Sequence, residues 1–370
     1  MLVRTATLGP VILAAFLACN AVLQAQQAFR IDTFAHHQSH GCEANPTGNP
    51  IGGGDGYDDI HASGDFIVND LSELISALRE AQAGQVIFVP DGVEIDLAGQ
   101  ATLLIPGGVT LAGSRGHDGS AGARLFSKST SFTMFATGGD FVRVTGLRFE
   151  GQHGGTEQLA YSGRFLRISH FSTRVDNCEI YNFSGHDAIG AGQGSLNTWI
   201  HHNHLHHIQR GGLGYPISVH NGGAAHIIAN RIDYARHHIA GYGHPGEAYE
   251  AAWNLIGEHA TSHHFDMHGG RDRGDGTDIA GDWLHIHHNT FINSRRHVGI
   301  RGVPSDGAAI HNNWFAGPAE EAVFSTANTR VWNNVWGPEK TLQPHAICFV
   351  DRQPVACEVT QCRFCTSTAD

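Results

Sequence analysis

From residue 86 the chain sets short apolar runs between Gly and Pro turns: Val86-Ile-Phe-Val89, Val93-Glu-Ile-Asp-Leu97, Thr102-Leu-Leu-Ile105, Val109-Thr-Leu111 and Phe141-Val-Arg-Val144. Runs this short, bounded by turn residues, predict strands rather than helices. The exception precedes them. Leu71, Leu74, Ile75 and Leu78 fall at i, i+3, i+4 and i+7, and Asp70-Leu-Ser-Glu73 supplies a capping box, so one amphipathic helix is expected there.

Further along, the pattern becomes a repeat. An apolar residue stands three positions before an Asn in Ile200-His-His-Asn203, Ile227-Ile-Ala-Asn230, Ala251-Ala-Trp-Asn254, Ile286-His-His-Asn289, Ile310-His-Asn-Asn313 and Val331-Trp-Asn-Asn334, with Thr173-Arg-Val-Asp-Asn177 as a looser first copy. The spacing averages about 26 residues, and one interval stretches to 35. That period suits one coil of a parallel β-helix, each coil stacking on the last at the inter-strand distance. Buried Asn at equivalent corners can bond both the neighbouring backbone and the next Asn.

The predicted architecture is all-β: a parallel β-helix solenoid over residues 69–338 with an N-terminal capping helix over its open end. Residues 26–68 read as an irregular N-terminal segment and 339–370 as a Cys-rich C-terminal tail. With its capping helix, Val109-Thr-Leu-Ala-Gly113, Val144-Thr-Gly-Leu-Arg-Phe149 and the Asn corners, the chain resembles the right-handed parallel β-helix superfamily of pectate lyases, other polysaccharide lyases and polygalacturonases. The resemblance covers roughly residues 69 to 336 and implies extracellular carbohydrate processing in a groove along one face. Fold by itself does not establish a reaction.

Composition narrows the partners. With 41% hydrophobic and 16% charged residues the chain can bury a core, and a formal net charge of -12 argues against nucleic acid. Residues 1–25 read as a signal peptide, with Arg4, the apolar run 11–18 and Leu23-Gln-Ala25 as cleavage site, so a secreted or periplasmic protein without an integral membrane span is expected. Phe16-Leu-Ala-Cys19 offers lipoprotein anchoring as a minority alternative. Six cysteines remain after the leader, four of them in the last 23 residues, where disulfides or a zinc site at Cys362-Arg-Phe-Cys365 would staple the tail; Cys178 reads as a buried thiol. A monomer is expected.

The 28 histidines are the outlier. If the apolar residues of the strand after each Asn corner's next turn point inward, then His220, His238, His264, Asp266, His268, His297 and Arg301 point outward on one face. The strands are followed by the longest polar loops, residues 241–249 and 269–278, which would bring Tyr242, His244, Tyr249, Arg271 and Arg273 to the rim. A second series, His226, Glu250 and His285, lies four residues before each Asn and reads as a solvated ladder or a second cluster. His201, His287 and His311 read as surface residues. Asp272, Asp275 and Asp278 make a loop in which calcium is conceivable although the spacing is not an EF-hand.

These residues suit an anionic, uronate-containing polysaccharide and its cleavage by β-elimination. His238 or His264 would act as base, Tyr249 or Tyr242 as acid, Arg271 or Arg301 would hold the carboxylate, and His220 and His244 would bind substrate. His264, Asp266 and His268 would hold a divalent metal, calcium or zinc. Pectate lyases carry Arg-x-Pro-x-x-Arg, of which Arg301-Gly-Val-Pro304 lacks the second Arg, so their calcium mechanism does not transfer; polygalacturonase motifs reduce here to Gly185-His-Asp187. The alternatives are a glycoside hydrolase, for which Asp266 has no evident carboxylate partner, a uronate C5-epimerase, and a noncatalytic glycan- or metal-binding surface β-helix.

Overall fold

A computed structural model describes residues 39–152, 162–292, 296–317 and 322–358. The apolar residue of each repeat takes one register: Val175, Ile200, Ile227, Ala251, Ile286, Ile310 and Val331 are successive partners in parallel strands. Among the described residues three such sheets, of 13, 11 and 9 strands, wrap a single apolar interior, and successive coils add parallel strands to each sheet in turn. The chain is a right-handed parallel β-helix. We call the sheets first (the strand before each Asn), second (directly after it) and third.

The Asn corners form a continuous ladder from Asn203 to Asn334. Asn230 is typical: its Nδ2 donates to Ile200 O (2.8 Å) and to Asn254 Oδ1 (3.0 Å), and its backbone N–H donates to the same Oδ1 (2.9 Å). The residue before each Asn turns the corner in the left-handed region, with φ between 49° and 55° at His202, Ala229, Trp253, His288, Asn312 and Asn333. A non-glycine residue there costs roughly 1–2 kcal/mol, which the buried amide bonds offset. Asn177 is off the ladder. Because Val175 pairs with Ile200, the ladder position in that coil is Cys178, whose N–H donates to Asn203 Oδ1 (2.9 Å), while Asn177 is the left-handed corner residue and turns its side chain outward to Gly54 and Arg115. Cys178 is buried.

Both ends of the solenoid are covered. Helix α1 (Leu71–Glu80) buries Leu74, Ala77 and Leu78 against the first coil. Asp70 Oδ1 accepts from Glu73 N (2.9 Å), while the Glu73 carboxylate accepts from Asn69 N rather than Asp70 N (2.7 Å). At the other end the sheet turns antiparallel: Ala346–Val350 pairs with Thr329–Trp332 and folds back on Gln353–Cys357 through a two-residue turn, Asp351 and Arg352, both at positive φ. A Cys348–Cys357 disulfide closes this hairpin. Cys362, Cys365 and the leader lie outside the described residues.

Residues 39–65 are a strap that follows the left-handed corners along the solenoid. Asn312 Nδ2 donates to Ser39 O (3.0 Å), Thr47 Oγ1 bonds His202 Nε2 (2.9 Å), Gly52 N donates to Ala229 O (2.9 Å), and Tyr57 and Asp59 reach the buried ion cluster of Arg143, Arg174 and Asp176. No helix among the described residues is long and apolar enough to cross a membrane.

Candidate functional site

The third sheet carries the polar face that strand alternation predicts, with one displacement. Ile217, Ile239, Phe265 and Val298 are register partners and point inward, so Ser218, Ala240, Asp266 and Gly299 point outward, and His220, Tyr242, His268 and Arg301 follow at the strand ends. His238, His264 and His297, expected outside, are in the core with no exposed surface. Each precedes its strand at the corner between two sheets, where alternation lapses and consecutive residues both turn inward. His264 stacks on His297 (ring centroids 5.2 Å apart), which lies over Phe291 and Phe315, and His238 Nδ1 is 3.0 Å from His264 Nδ1. Burial pushes His238 down to about 4 and His297 to about 3, and holds His264 well below the ordinary imidazole value, so these rings are neutral core members. The expected assignment of His238 and His264 as outward-facing bases, and of His264 as a metal ligand, is corrected accordingly. His237 and His263, one residue earlier, take their place on the face.

Those two rings converge on Asp266. The His263 Nε2 lies 2.8 Å from Oδ1, His268 Nε2 2.9 Å from Oδ2 and His237 Nε2 3.5 Å from Oδ2, while Arg301 donates from Nε to Oδ1 (3.0 Å) and from Nη2 to Oδ2 (2.7 Å). Burial opposes ionisation of Asp266, but the close contacts of His263 and His268 prevail and hold its carboxyl well below the usual range. His237 is pushed down to about 3 by burial. Arg301 also contacts Asp272 (3.2 Å), so its guanidinium is committed to two carboxylates.

Beside this hub lies a cluster of one phenol and three imidazoles. The Tyr242 hydroxyl bonds the His186 imidazole, 2.8 Å from Nε2, and the Tyr242 ring is 5.6 Å from His220 and 6.3 Å from His268. His220 lies across Gly190 and Gly192, where a Cβ would come within 3.0 Å and 2.7 Å of its ring. Asp187 accepts from Ser218 Oγ (2.7 Å) and pairs with Arg164 (3.1 Å). Desolvation fixes the protonation states: it lowers His186 to about 4, lowers His220 and raises Tyr242 above the ordinary phenol value. Near neutral pH Tyr242 is therefore a donor and both rings are neutral acceptors. His244 Nδ1 is held at 2.7 Å by Glu247, a buried carboxylate whose pKa burial raises. A side chain at Gly243 would strike the His268 carbonyl, so the 242–247 loop is packed directly on the hub.

Other candidates fall elsewhere. Tyr249 belongs to the first-sheet strand Ala248–Ala252 and, two residues before inward Ala251, is itself a core residue with no exposed surface; it is not on the rim. Arg271, in the short helix α2 (Gly270–Arg273), is 67% exposed and only 3.6 Å from Asp278. Asp272, Asp275 and Asp278 each face an arginine rather than one another, which leaves no convergent calcium loop. The ladder of His226, Glu250 and His285 is register-paired as expected but only partly solvated: Glu250 also meets His287 (3.0 Å). His201 and His287 are buried rather than surface residues. His186, His237, His263, Asp187 and Glu247 were missed. His186 and Asp187 stand in the quoted Gly185-His-Asp187, and the doublets His237-His238 and His263-His264 were the available signal for a one-residue ambiguity.

Three donor groups with ligand atoms within 4.8 Å of one another occur among the described residues: Glu179, His204 and His206; His237, His263 and Asp266; and Glu250, His285 and His287. In the second, the buried Nε2 atoms of His237 and His263, like that of neighbouring His268, lack hydrogen bonds of good geometry, which fits a metal, but Arg301 already occupies both Asp266 oxygens.

No protein-family model matches the chain, and neither does any curated protein. Among solved structures it is similar to an alginate lyase from Paenibacillus sp. str. FPU-7, at 17% identity and a TM-score of 0.42, over 68% of this chain and 93% of that one.

Proposed function

We propose that the third-sheet face binds an anionic, uronate-containing polysaccharide and cleaves it by β-elimination. The observation that carries this reading is the Tyr242–His186 hydrogen bond beside His220 on its glycine floor: a protonated phenol next to two neutral imidazoles. In the reaction, His220 removes the C5 proton, the electron pair forms the C4–C5 double bond, the C4–O bond breaks, and Tyr242 protonates the departing oxygen. His186 accepts the hydrogen bond that orients Tyr242, and His244, oriented by Glu247, borders the same group. Arg271, 67% exposed and held only loosely by Asp278 at 3.6 Å, is the guanidinium suited to the substrate carboxylate, since Arg301 is held by Asp266 and Asp272.

Hydrolysis fits less well. Asp187 and Asp266 lie on this face three coils apart, at least about 14 Å at the usual inter-strand spacing, beyond the separations that retaining or inverting glycosidases use, and the Glu247 carboxylate is engaged by Gly243 N–H and His244. The test is to incubate the purified protein, with and without chelator, against a panel of uronate polysaccharides, following ultraviolet absorbance of unsaturated ends and total reducing ends together. Both signals rising, and both lost in Tyr242→Phe, supports elimination. Reducing ends without absorbance means hydrolysis, and binding with neither means a glycan-binding face or epimerisation.

A further inference from the structure

The three donor groups differ in how their carboxylate charge is met. Glu179 has the Arg148 guanidinium at 3.1 Å, and Asp266 has Arg301 at 2.7 Å. Glu250 has neither: among the described residues its ion partners within 4.0 Å are His226, His285 and His287. A partly buried carboxylate whose charged-group contacts are imidazoles alone has no guanidinium or ammonium beside it.

Hydrogen bonding around it shows where a cation belongs. Asn312 Nδ2 donates to Ser39 O (3.0 Å), which turns the amide oxygen toward His311, and that Oδ1 accepts from His311 Nδ1 (2.8 Å). His311 Nε2 therefore presents a lone pair, so the 2.8 Å bond between His311 Nε2 and His285 Nε2 has its proton on His285. The remaining nitrogen of neutral His285, Nδ1, is a lone pair facing Glu250 Oε1 at 4.0 Å. Two acceptors face each other, and His287 Nε2 stands 3.0 Å from the same oxygen. A metal ion between them converts the repulsion into ligation.

We propose that Glu250 Oε1, His285 Nδ1 and His287 Nε2 bind a divalent transition ion of the zinc class, with the fourth position open to solvent. Two imidazoles and one carboxylate are a zinc donor set, and nitrogen ligands disfavour calcium and magnesium. Each ligand has an outer partner that orients it: His311 on His285, His288 Nδ1 on His287 Nδ1 (2.8 Å) and His226 on Glu250 Oε2 (2.7 Å). On loading, the His287 proton moves from Nε2 to Nδ1, and the neutral His288 ring shifts its own proton from Nδ1 to Nε2 so that its Nδ1 accepts the bond. The ion would clamp Glu250 to its register partner His285, on adjacent strands separated by the 35-residue coil that contains α2.

The test titrates metal-free full-length protein with cobalt(II), reads its visible ligand-field bands, and displaces it with zinc. One equivalent with the intense bands of a low-coordinate site is expected, retained in Asp266→Asn and Glu179→Gln and lost in Glu250→Gln and His285→Ala. His311→Phe, which removes only the outer partner, should weaken binding about 10- to 100-fold. No low-coordinate bands in the wild type, or bands unchanged in both Glu250→Gln and His285→Ala, overturns the proposal. Zinc-edge X-ray absorption on the wild type decides independently of any folding defect: two imidazoles and one carboxylate around zinc support the site, and oxygen neighbours alone, or more than two imidazoles, refute it.

Discussion

Asp266 and Glu250 are both carboxylates ringed by histidines on outward strand positions of the same solenoid, yet the two surroundings do different things. Asp266 is sealed, forked by Arg301 and contacted by three imidazoles, so its charge is balanced within the protein and it organises the rings beside the Tyr242 group. Glu250 has a comparable ring and no guanidinium. The contrast teaches that a histidine-carboxylate cluster is classified by its counter-charge: with arginine it is an electrostatic hub, and without one it is the proposed cation site.

The largest effect that would break the contrast is on stability. Asp266→Asn removes the charge that His263, His268 and Arg301 all meet, leaving Arg301 only Asp272, and should cost about 2–3 kcal/mol in denaturant unfolding, whereas Glu250→Gln in chelated protein should cost under about 1 kcal/mol. Equal losses would erase the distinction. Next in size, Tyr242→Phe should lower uronate elimination about 100-fold or more, while Glu250→Gln stays within about twofold, measured as initial rates of absorbance increase.

A third prediction separates the rings that serve carboxylates from those in the core. The folded-state values of His238 and His297 are depressed, to about 4 and about 3, below the unfolded value near 6.5. As pH falls the unfolded chain binds protons first, so stability is intact above about pH 6.5 and is lost progressively toward pH 4. Asp266, also depressed, contributes a loss only below its unfolded value near 3.9. His297→Phe should therefore stabilise the protein by about 2 kcal/mol at pH 5 relative to its effect at pH 8, read from unfolding curves at both. The smallest effect is Arg271→Ala: as an exposed group it should change stability by less than about 0.5 kcal/mol while raising the KM for an anionic polysaccharide.

Much of the fold is legible in the chain. The Asn corners from 203 to 334 and the apolar residue three before each one appear in the structure as a ladder and a register column, and the helix at 71–80 forms with its predicted cap. The one slip in the repeat, Asn177 for Cys178, arose because the αL corner residue and the ladder residue are neighbours and both accept Asn. The candidate site was legible in part. His220, Asp266, His268, Tyr242 and Arg301 occupy the expected face, whereas His238 and His264 exchange places with His237 and His263, and Tyr249 is core.

Sequence alone therefore determined the coil, its period and the stacking direction, because each coil repeats the same short-range requirement: an apolar residue inward, a left-handed corner, and an amide that bonds the next coil. Tertiary structure decided which imidazoles reach a carboxylate and which carboxylates find an arginine. Those choices rest on the corners, where the two-residue alternation lapses as the backbone passes between sheets, and on contacts between coils about 25 to 35 residues apart, whose geometry no local pattern encodes.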